Sequence, residues 1–215
     1  MTDNKRYWEL LAQKYPSLRS LTREIINLGA ILNLPKGTEH FMSDLHGEYE
    51  AFCHILNNCS GVIREKVNRL YGETLDAAEL DEICTLIYYP REKLSLLKKE
   101  KDINREWYRT TLSRMTEIAK TLSSKYTRSK VRKAMPKDYA YIIDELLHAQ
   151  RDEDDNQVRY HNHILETIIR IDADDFVVSL AQLIKRLAVD RLHIVGDIFG
   201  RGDSADKIVD LLMEH

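Results

Sequence analysis

The sequence predicts an α/β protein that is mostly helical, with a long helical stretch between two short strands. Apolar residues recur at helical spacing over most of the 215 residues. Only two stretches, residues 38–43 and 191–197, have the short apolar run that is typical of a strand. Glycine and proline are scarce, at 8 and 4 residues, which disfavours a turn-rich all-β fold.

Helical periods account for most of the chain. Residues 5–33 predict two helices separated near Pro16, and a helical pattern begins again at residue 48. Further amphipathic helices are predicted over residues 80–87, 103–122, 139–147, 164–169 and 176–187. We expect Asp174 or Asp175 to cap the last of these, because aspartate is a preferred N-cap residue. The polar stretch RDEDDNQ at 151–157 predicts an exposed loop.

The second strand candidate, RLHIVGD at 191–197, is an apolar run bounded by a polar turn. Such a run predicts a buried strand. A final helix follows, and Ser204 is suited to cap it.

Charge and composition exclude several classes of protein. The formal net charge is only −3, so no global field favours nucleic acid. No apolar run approaches the ~18 residues that a membrane span requires, and the N-terminus lacks the apolar core of a signal peptide. The 3 cysteines are irregularly spaced, which fits a reducing cytoplasm better than a disulfide framework. We therefore expect a soluble, cytoplasmic protein without membrane or nucleic-acid partners.

Both predicted strands end in residues that are suited to bind metal. Asp44 and His46 follow the first strand in SDLHG, and Asp197 follows the second in GDIFGRGD. Ligands bind at the carboxyl ends of strands in an open α/β sheet. In an extended segment Asp44 and His46 point the same way, and Asp197 is placed to bridge to a second ion. Oxygen and imidazole ligands suit Mn, Fe or Zn better than Ca.

Three neighbouring residues support this hypothesis. Gly47 and Gly196 leave room for the backbone to approach the site closely. Arg201 lies on the same turn as Asp197 and can clamp a phosphate through a bidentate, charge-assisted contact.

The two motifs resemble the D-x-H and G-D-x-x-D-R-G blocks of the calcineurin-like metallophosphoesterases. With their flanks, EHFMSDLHGEYEAFCHILNNCSGVIREKV and LHIVGDIFGRG, they resemble the class III fructose-1,6-bisphosphatases of bacteria. The resemblance extends over the whole chain. It implies the N-terminal part of an α/β metallophosphoesterase-like fold that is predominantly helical by content, because a helical insertion separates its first two strands. The implied parts are residues 1–47, the insertion 48–188, and residues 189–215.

The activity that the resemblance implies is that of a phosphatase. It would hydrolyse fructose 1,6-bisphosphate to fructose 6-phosphate and phosphate in gluconeogenesis. Asp44 and His46 would bind the first metal, Asp197 would bridge two metals, and Arg201 would contact the substrate phosphate. The usual metal would be manganese, in a two-metal site. The role of the insertion and homo-oligomerisation are left open.

Two positions depart from the family pattern. Gly200 stands where the pattern has aspartate, and Asp203 where this family usually has proline. In the wider superfamily that aspartate orients a downstream histidine that helps to protonate the leaving group. Because general acid catalysis contributes ~10²–10⁴-fold, we expect slow turnover with Gly200. We expect Gly200→Asp in a completed chain to raise turnover with little change in metal affinity.

The third block of the superfamily, Gly-Asn-His-Asp/Glu, is not found in the sequence. We therefore expect the chain to be the N-terminal part of a longer enzyme or a truncated product, and to be inactive alone.

Alternative functions stay open at this point. One is a non-catalytic helical interaction module with a relic metal site, and another is a related phosphoesterase acting on phosphoprotein or a dinucleotide. A second metal site is conceivable at His161, His163 and Glu166, although a solvated helix surface explains these residues more simply. The basic run KYTRSKVRK at 125–133 could bind RNA or an anionic effector, but most such runs are solvated faces.

Overall fold

The computed structural model describes residues 2–100, 103–149 and 154–213. Its α-helices are α1 (Thr2–Lys14), α2 (Leu18–Ile31), α3 (Tyr49–Asn58), α4 (Val62–Tyr71), α5 (Ala77–Tyr88), α6 (Pro90–Glu100), α7 (Arg105–Ser123), α8 (Arg128–Ala134), α9 (Ala140–His148), α10 (Asp155–Ile171), α11 (Ala173–Ala188) and α12 (Ala205–Met213). Short 3₁₀ turns lie at Cys59–Gly61 and Lys137–Tyr139. Strands β1 (Glu39–Met42) and β2 (Arg191–Ile194) pair in parallel. The helical segments and the two strands predicted from the sequence are thus confirmed.

Helices α1 and α2 belong to one compact unit, Met1–Lys36, and the remaining elements to a second, Gly37–His215. Ser17 forms a capping box at the start of α2, because its Oγ accepts the Ser20 N–H at 3.1 Å and its own N–H donates to Ser20 Oγ at 3.2 Å. This box explains why the chain turns at Pro16 and starts a new helix. Among the described residues, no helix is both long enough and apolar enough to cross a membrane.

The core of the second unit is helical and is built around α11. Phe176, Leu180 and Ile184 of this helix are fully buried. Helix α7 packs along α11 and contributes Met115 and Leu122, which are also buried. Because α11 leads directly into β2, the helical core fixes the start of that strand.

The paired strands lie over a smaller apolar cluster. Met42 of β1, Phe52 of α3 and Ile208 of α12 are buried in it. The opposite face of the sheet carries Phe41, and Val195 follows β2; these side chains are 62% and 69% exposed. The prediction of a buried second strand is therefore wrong: β2 is exposed at Arg191 and half-buried along the rest. The reason is that β2 has one paired edge and one covered face in the described part of the chain.

The prediction that Asp174 or Asp175 caps α11 is also wrong. This helix begins after Asp172, whose side chain makes no capping bond. Asp174 and Asp175 lie within the first turn and instead contact other helices, where Asp174 pairs with Lys98 and Asp175 with Arg91.

The predicted loop at 151–157 is shorter than expected. Asp154 caps α10, because its Oδ1 accepts the N–H groups of Asn156 and Gln157 at 2.9 Å each. Residues 155–157 are therefore helical. Residues 151–153 of the predicted loop lie outside the described residues.

One carboxylate connects the helical core to the beginnings of both strands. The Asp190 side chain, just before β2, is only 8% exposed. It accepts the N–H of Thr38 at 2.7 Å and the hydroxyl of Tyr126 at 2.5 Å, and it pairs with Lys130. Lys125 donates to Thr38 Oγ1 at 2.8 Å. This network holds the starts of β1 and β2 together and ties them to the segment between α7 and α8.

We expect Asp190→Asn to lower the free energy of unfolding by about 1–2 kcal/mol at neutral pH, because it removes the largely buried charge that the donors of Thr38, Tyr126 and Lys130 share. Burial raises the pKa of Asp190, but hydrogen bonds from Lys130 and Tyr126 outweigh it, so the pKa lies below its usual value. A lowered folded-state pKa means that this stabilisation is present above the unfolded pKa of about 4 and is lost as pH falls through the folded pKa.

Urea unfolding of the wild type and the variant at pH 7 and pH 3 checks this expectation. The difference between the two proteins should shrink at pH 3, and a difference that stays the same would contradict the proposed role. Asp138→Asn, at an exposed position, is the matched control and should be neutral at both pH values.

Candidate functional site

The parallel pairing brings the two sequence motifs together beyond the ends of the strands. Met42 lies opposite Ile194. Past this pair, the carbonyl oxygen of Asp197 accepts the N–H groups of Leu45 at 2.7 Å and His46 at 3.1 Å. The two loops are therefore joined through their backbones, as the prediction of neighbouring strands requires.

Two further backbone hydrogen bonds connect the same two loops. The Gly47 N–H donates to the carbonyl oxygen of Ile198 at 2.8 Å, and the Gly202 N–H donates to that of His46 at 2.6 Å. Sequence reasoning missed these backbone contacts, although the glycines at the corresponding ends of the two motifs are a signal for close backbone approach.

Backbone contacts bring residues Asp44, His46 and Asp197 to this edge. The Asp197 N–H donates to Asp44 Oδ1 at 3.1 Å, so one oxygen of the Asp44 carboxylate is engaged. His46 Nδ1 lies 3.4 Å from the carbonyl oxygen of Phe199. Asp44 and Asp197 are exposed and His46 is half-buried, so ligands from solvent can reach all three.

The expectation that Asp44 and His46 share an extended segment is wrong. Strand β1 ends at Met42, and His46 lies in a turn with φ of 48°. The physical reason is the pair of N–H groups at residues 45 and 46 that both turn toward Asp197 O. His46 is thus oriented by its contact with the second loop, and the period-two argument does not apply to it.

Glycine is required at the closest approaches between the loops. A β-carbon at residue 196 would lie 2.2 Å from Asp44 Oδ1 and 2.8 Å from Asp44 N. Gly47 has φ of +76°, and a β-carbon there would lie 2.4 Å from the carbonyl oxygen of Gly202. The prediction that Gly47 and Gly196 leave room for the backbone is confirmed by these distances.

Gly200 also lies against the site. Its φ is +150°, and a β-carbon would lie 2.6 Å from His46 Nδ1. A side chain at this position would therefore displace the imidazole or the loop. This contact weighs against the expectation that Gly200→Asp would leave metal affinity almost unchanged. Asp203 is exposed, and nothing in the structure explains the departure from proline there.

The donors at this edge fit a divalent ion in chemistry but are incomplete in number. Two carboxylates and an imidazole are ligands that manganese, iron and zinc accept, and the glycines at 196 and 200 leave the space around them free of side chains. Within the described ranges, however, no group of three or more histidine, cysteine, aspartate or glutamate side chains is arranged to hold a metal ion. Arg201 is exposed on the same loop.

The other candidate residues lie elsewhere and are largely paired. In the basic run, Lys125 and Lys130 surround Asp190, and Arg132 pairs with Asp144 at 2.7 Å. Glu166, the carboxylate of the alternative metal site, instead pairs with Arg105 and Arg109. His163, on the same helix, is exposed.

Comparison with known proteins places these motifs in one family. The profile described as Firmicute fructose-1,6-bisphosphatase matches residues 6–215. The chain is 53% identical over 214 residues to the class 3 fructose-1,6-bisphosphatase of Clostridium botulinum (strain Loch Maree / Type A3), covering 99% of this chain and 32% of that protein. It is 53% identical over 216 residues to a class 3 fructose-1,6-bisphosphatase of Clostridium beijerinckii, covering 100% of this chain and 32% of that protein.

No solved structure matches the chain. The chain spans about a third of the length of the curated relatives it matches, at 32% in each case. The match of the family profile over almost every residue, including both loops and the helices between them, shows that the chain belongs to the Firmicute fructose-1,6-bisphosphatase family.

Proposed function

We propose that this chain supplies the metal-binding and phosphate-binding strand ends of an enzyme that hydrolyses fructose 1,6-bisphosphate to fructose 6-phosphate and phosphate. The observation that carries the proposal is the backbone pairing of the two loops, in which Asp197 O accepts from residues 45 and 46. Family membership supplies the substrate. The D-x-H and G-D-x-x-x-R-G blocks support an α/β metallophosphoesterase-like fold for the complete enzyme.

Each site residue has a role that its position supports. Asp44 and His46 would hold one divalent ion, and Asp197 would supply a carboxylate to it and to a second ion. The backbone N–H of Asp197 occupies one oxygen of Asp44 and leaves the other for a ligand. Bound manganese ions supply positive charge that stabilises the phosphoryl oxygens as negative charge develops on them.

Arg201 binds the phosphate that is removed. Its guanidinium is always protonated and has a planar donor set that matches phosphate oxygens. It is exposed on the loop that carries Asp197, so a phosphate can reach it from solvent.

The setting of the reaction follows from the substrate. Hydrolysis of a sugar bisphosphate belongs to carbohydrate metabolism, in the direction of gluconeogenesis. We place the protein in the cytoplasm, because Cys53, Cys59 and Cys84 are all free thiols and unpaired cysteines are typical of a reducing compartment.

A chimera tests the proposed function directly. The third of the C. botulinum enzyme that matches this chain is replaced by residues 1–215, and phosphate release from fructose 1,6-bisphosphate is measured with manganese. We expect the chimera to be active and its Asp197→Asn form to be inactive, because the bridging carboxylate is lost. The matched control is Asp210→Asn, at an exposed position of α12, which should retain activity.

The same assay separates the rival functions. A folded chimera that binds manganese but releases no phosphate would favour the non-catalytic module. Release of phosphate from a phosphopeptide or a dinucleotide, with none from the sugar bisphosphate, would favour another phosphoesterase activity.

A further inference from the structure

A cleft of about 820 Å³ lies between α3, α11, β2 and α12. None of its lining residues belongs to the loops at 43–47 and 195–204 that carry the candidate metal ligands. It borders β2 and α12, the two elements between which the Asp197 loop runs. The cleft is thus a second concave site in the same unit.

Among the residues that line the cleft is a cation, Lys185, for which the described part of the chain provides no ion-pair partner. The Lys185 ammonium donates to Asn57 Oδ1 at 2.9 Å and to the carbonyl oxygen of Tyr88 at 3.3 Å, and both acceptors are neutral. No carboxylate in the described part of the chain forms an ion pair with it. Burial lowers the pKa of Lys185, although Cys59 and Glu92 oppose the shift. A partly buried charge of this kind gains free energy when an anion is placed beside it.

The described residues that line the cleft carry a net positive charge. Arg186 and Arg191 join Lys185 in the lining, and among the described residues Asp190 is the only carboxylate that lines the cleft. The oxygens of Asp190 are engaged by Thr38, together with Tyr126 and Lys130 as described above. The cleft therefore offers cations to a ligand while its one carboxylate is already neutralised.

Part of the cleft lining is apolar. Leu192 and Ile194 of β2, Leu211 and Leu212 of α12, and Leu56 of α3 form this apolar part of the lining. Small-molecule sites commonly combine a mainly apolar lining with a few polar groups that fix the orientation of the ligand.

We propose that this cleft binds a small organic anion that has an apolar body, with the anionic group beside Lys185 and Arg191 and the apolar body against the leucine and isoleucine side chains of the lining. The site is separate from the proposed catalytic edge, and the proposal does not depend on the reaction carried out there.

Naphthalene-2-sulfonate is a suitable probe, because it has a flat apolar body and a charge, and a phosphatase cannot hydrolyse its sulfonate. We expect saturable binding of this probe to the 215-residue chain in calorimetry. Lys185→Gln, which retains a hydrogen-bond donor, and Arg191→Gln, at an exposed position, should each weaken binding roughly tenfold, because each removes a charge-assisted contact. Lys133→Gln, at an exposed lysine outside the cleft, is the matched control and should bind as the wild type does.

Two further comparisons make the result decisive. Neutral 2-naphthol and inorganic sulfate should each bind more weakly than the probe, because 2-naphthol lacks the anionic group and sulfate lacks the apolar body. Arg201→Gln should bind the probe normally; if it loses binding instead, the anion lies at the catalytic edge and the proposal is overturned. Absence of saturable binding, or equal affinity for 2-naphthol, would also overturn it. Circular dichroism checks that Lys185→Gln is folded, and if it is not, Arg191→Gln decides.

Discussion

Replacing Gly196 by alanine is expected to lower the free energy of unfolding by about 2–3 kcal/mol and to separate the two loops. The added β-carbon would lie 2.2 Å from Asp44 Oδ1, 2.8 Å from Asp44 N and 3.0 Å from the carbonyl carbon of Ser43. Two of these atoms belong to the backbone, so rotation of a side chain cannot relieve the overlap. The loops must move apart, and the hydrogen bond from the Asp197 N–H to Asp44 is lost with them.

Urea unfolding measures the loss of stability, and amide NMR shifts of Leu45 and His46 report on the loops, because both N–H groups donate to Asp197 O. Gly29→Ala in α2 is the matched control, since a β-carbon there would meet nothing within 4 Å. It should be neutral or stabilising by about 0.5–1 kcal/mol, because alanine is favoured over glycine in a helix. Unchanged shifts at residues 45 and 46 in Gly196→Ala would contradict the description of the site.

Phe176→Ala is expected to lower the free energy of unfolding by about 3–5 kcal/mol, because it removes a fully buried ring and leaves a cavity. Phe176 lies on α11, and its ring packs edge-to-face against Tyr139 with centroids 5.2 Å apart. The pair links α11 to the segment before α9. Since α11 leads into β2, loosening α11 also loosens the strand that precedes the Asp197 loop.

Thermal and urea unfolding measure this effect. Phe199→Ala is the control, because its ring is 68% exposed, and it should change stability by no more than about 0.5 kcal/mol. If Phe176→Ala and Phe199→Ala lower the free energy of unfolding by the same amount, the claim that the helical core is built around α11 is contradicted.

The helices were predictable from sequence because their signals are local. The spacing of Met115, Ile118 and Leu122 predicts one buried face of α7, and all three are buried. Capping was less predictable, since Asp174 and Asp175 have the right chemistry but pair with residues of other helices. Those partners lie far away in the sequence and have no local signal.

The meeting of the two loops was predictable from the sequence, but the local geometry of the candidate site was not. Two polar strand ends predicted that Asp44, His46 and Asp197 would meet, and backbone hydrogen bonds join their loops. The turn at His46 was not predictable, because it depends on N–H groups that find an acceptor on the other loop. The Asp190 network was missed for the same reason, since its members Thr38 and Tyr126 are remote in sequence.

Whether Asp44, His46 and Asp197 belong to one metal centre is tested most directly by calorimetric titration of Mn²⁺ into the chimera described above, taken as the wild type, and into its variants, because the 215-residue chain alone supplies an incomplete set of donors. We predict saturable binding to the wild type, and affinity lower by about tenfold or more in both Asp44→Asn and Asp197→Asn, because each removes a carboxylate ligand. Asp210→Asn, at an exposed carboxylate on α12, should bind as the wild type does. Equal manganese affinity in all four proteins, or no binding to the wild type, would contradict the assignment of the site.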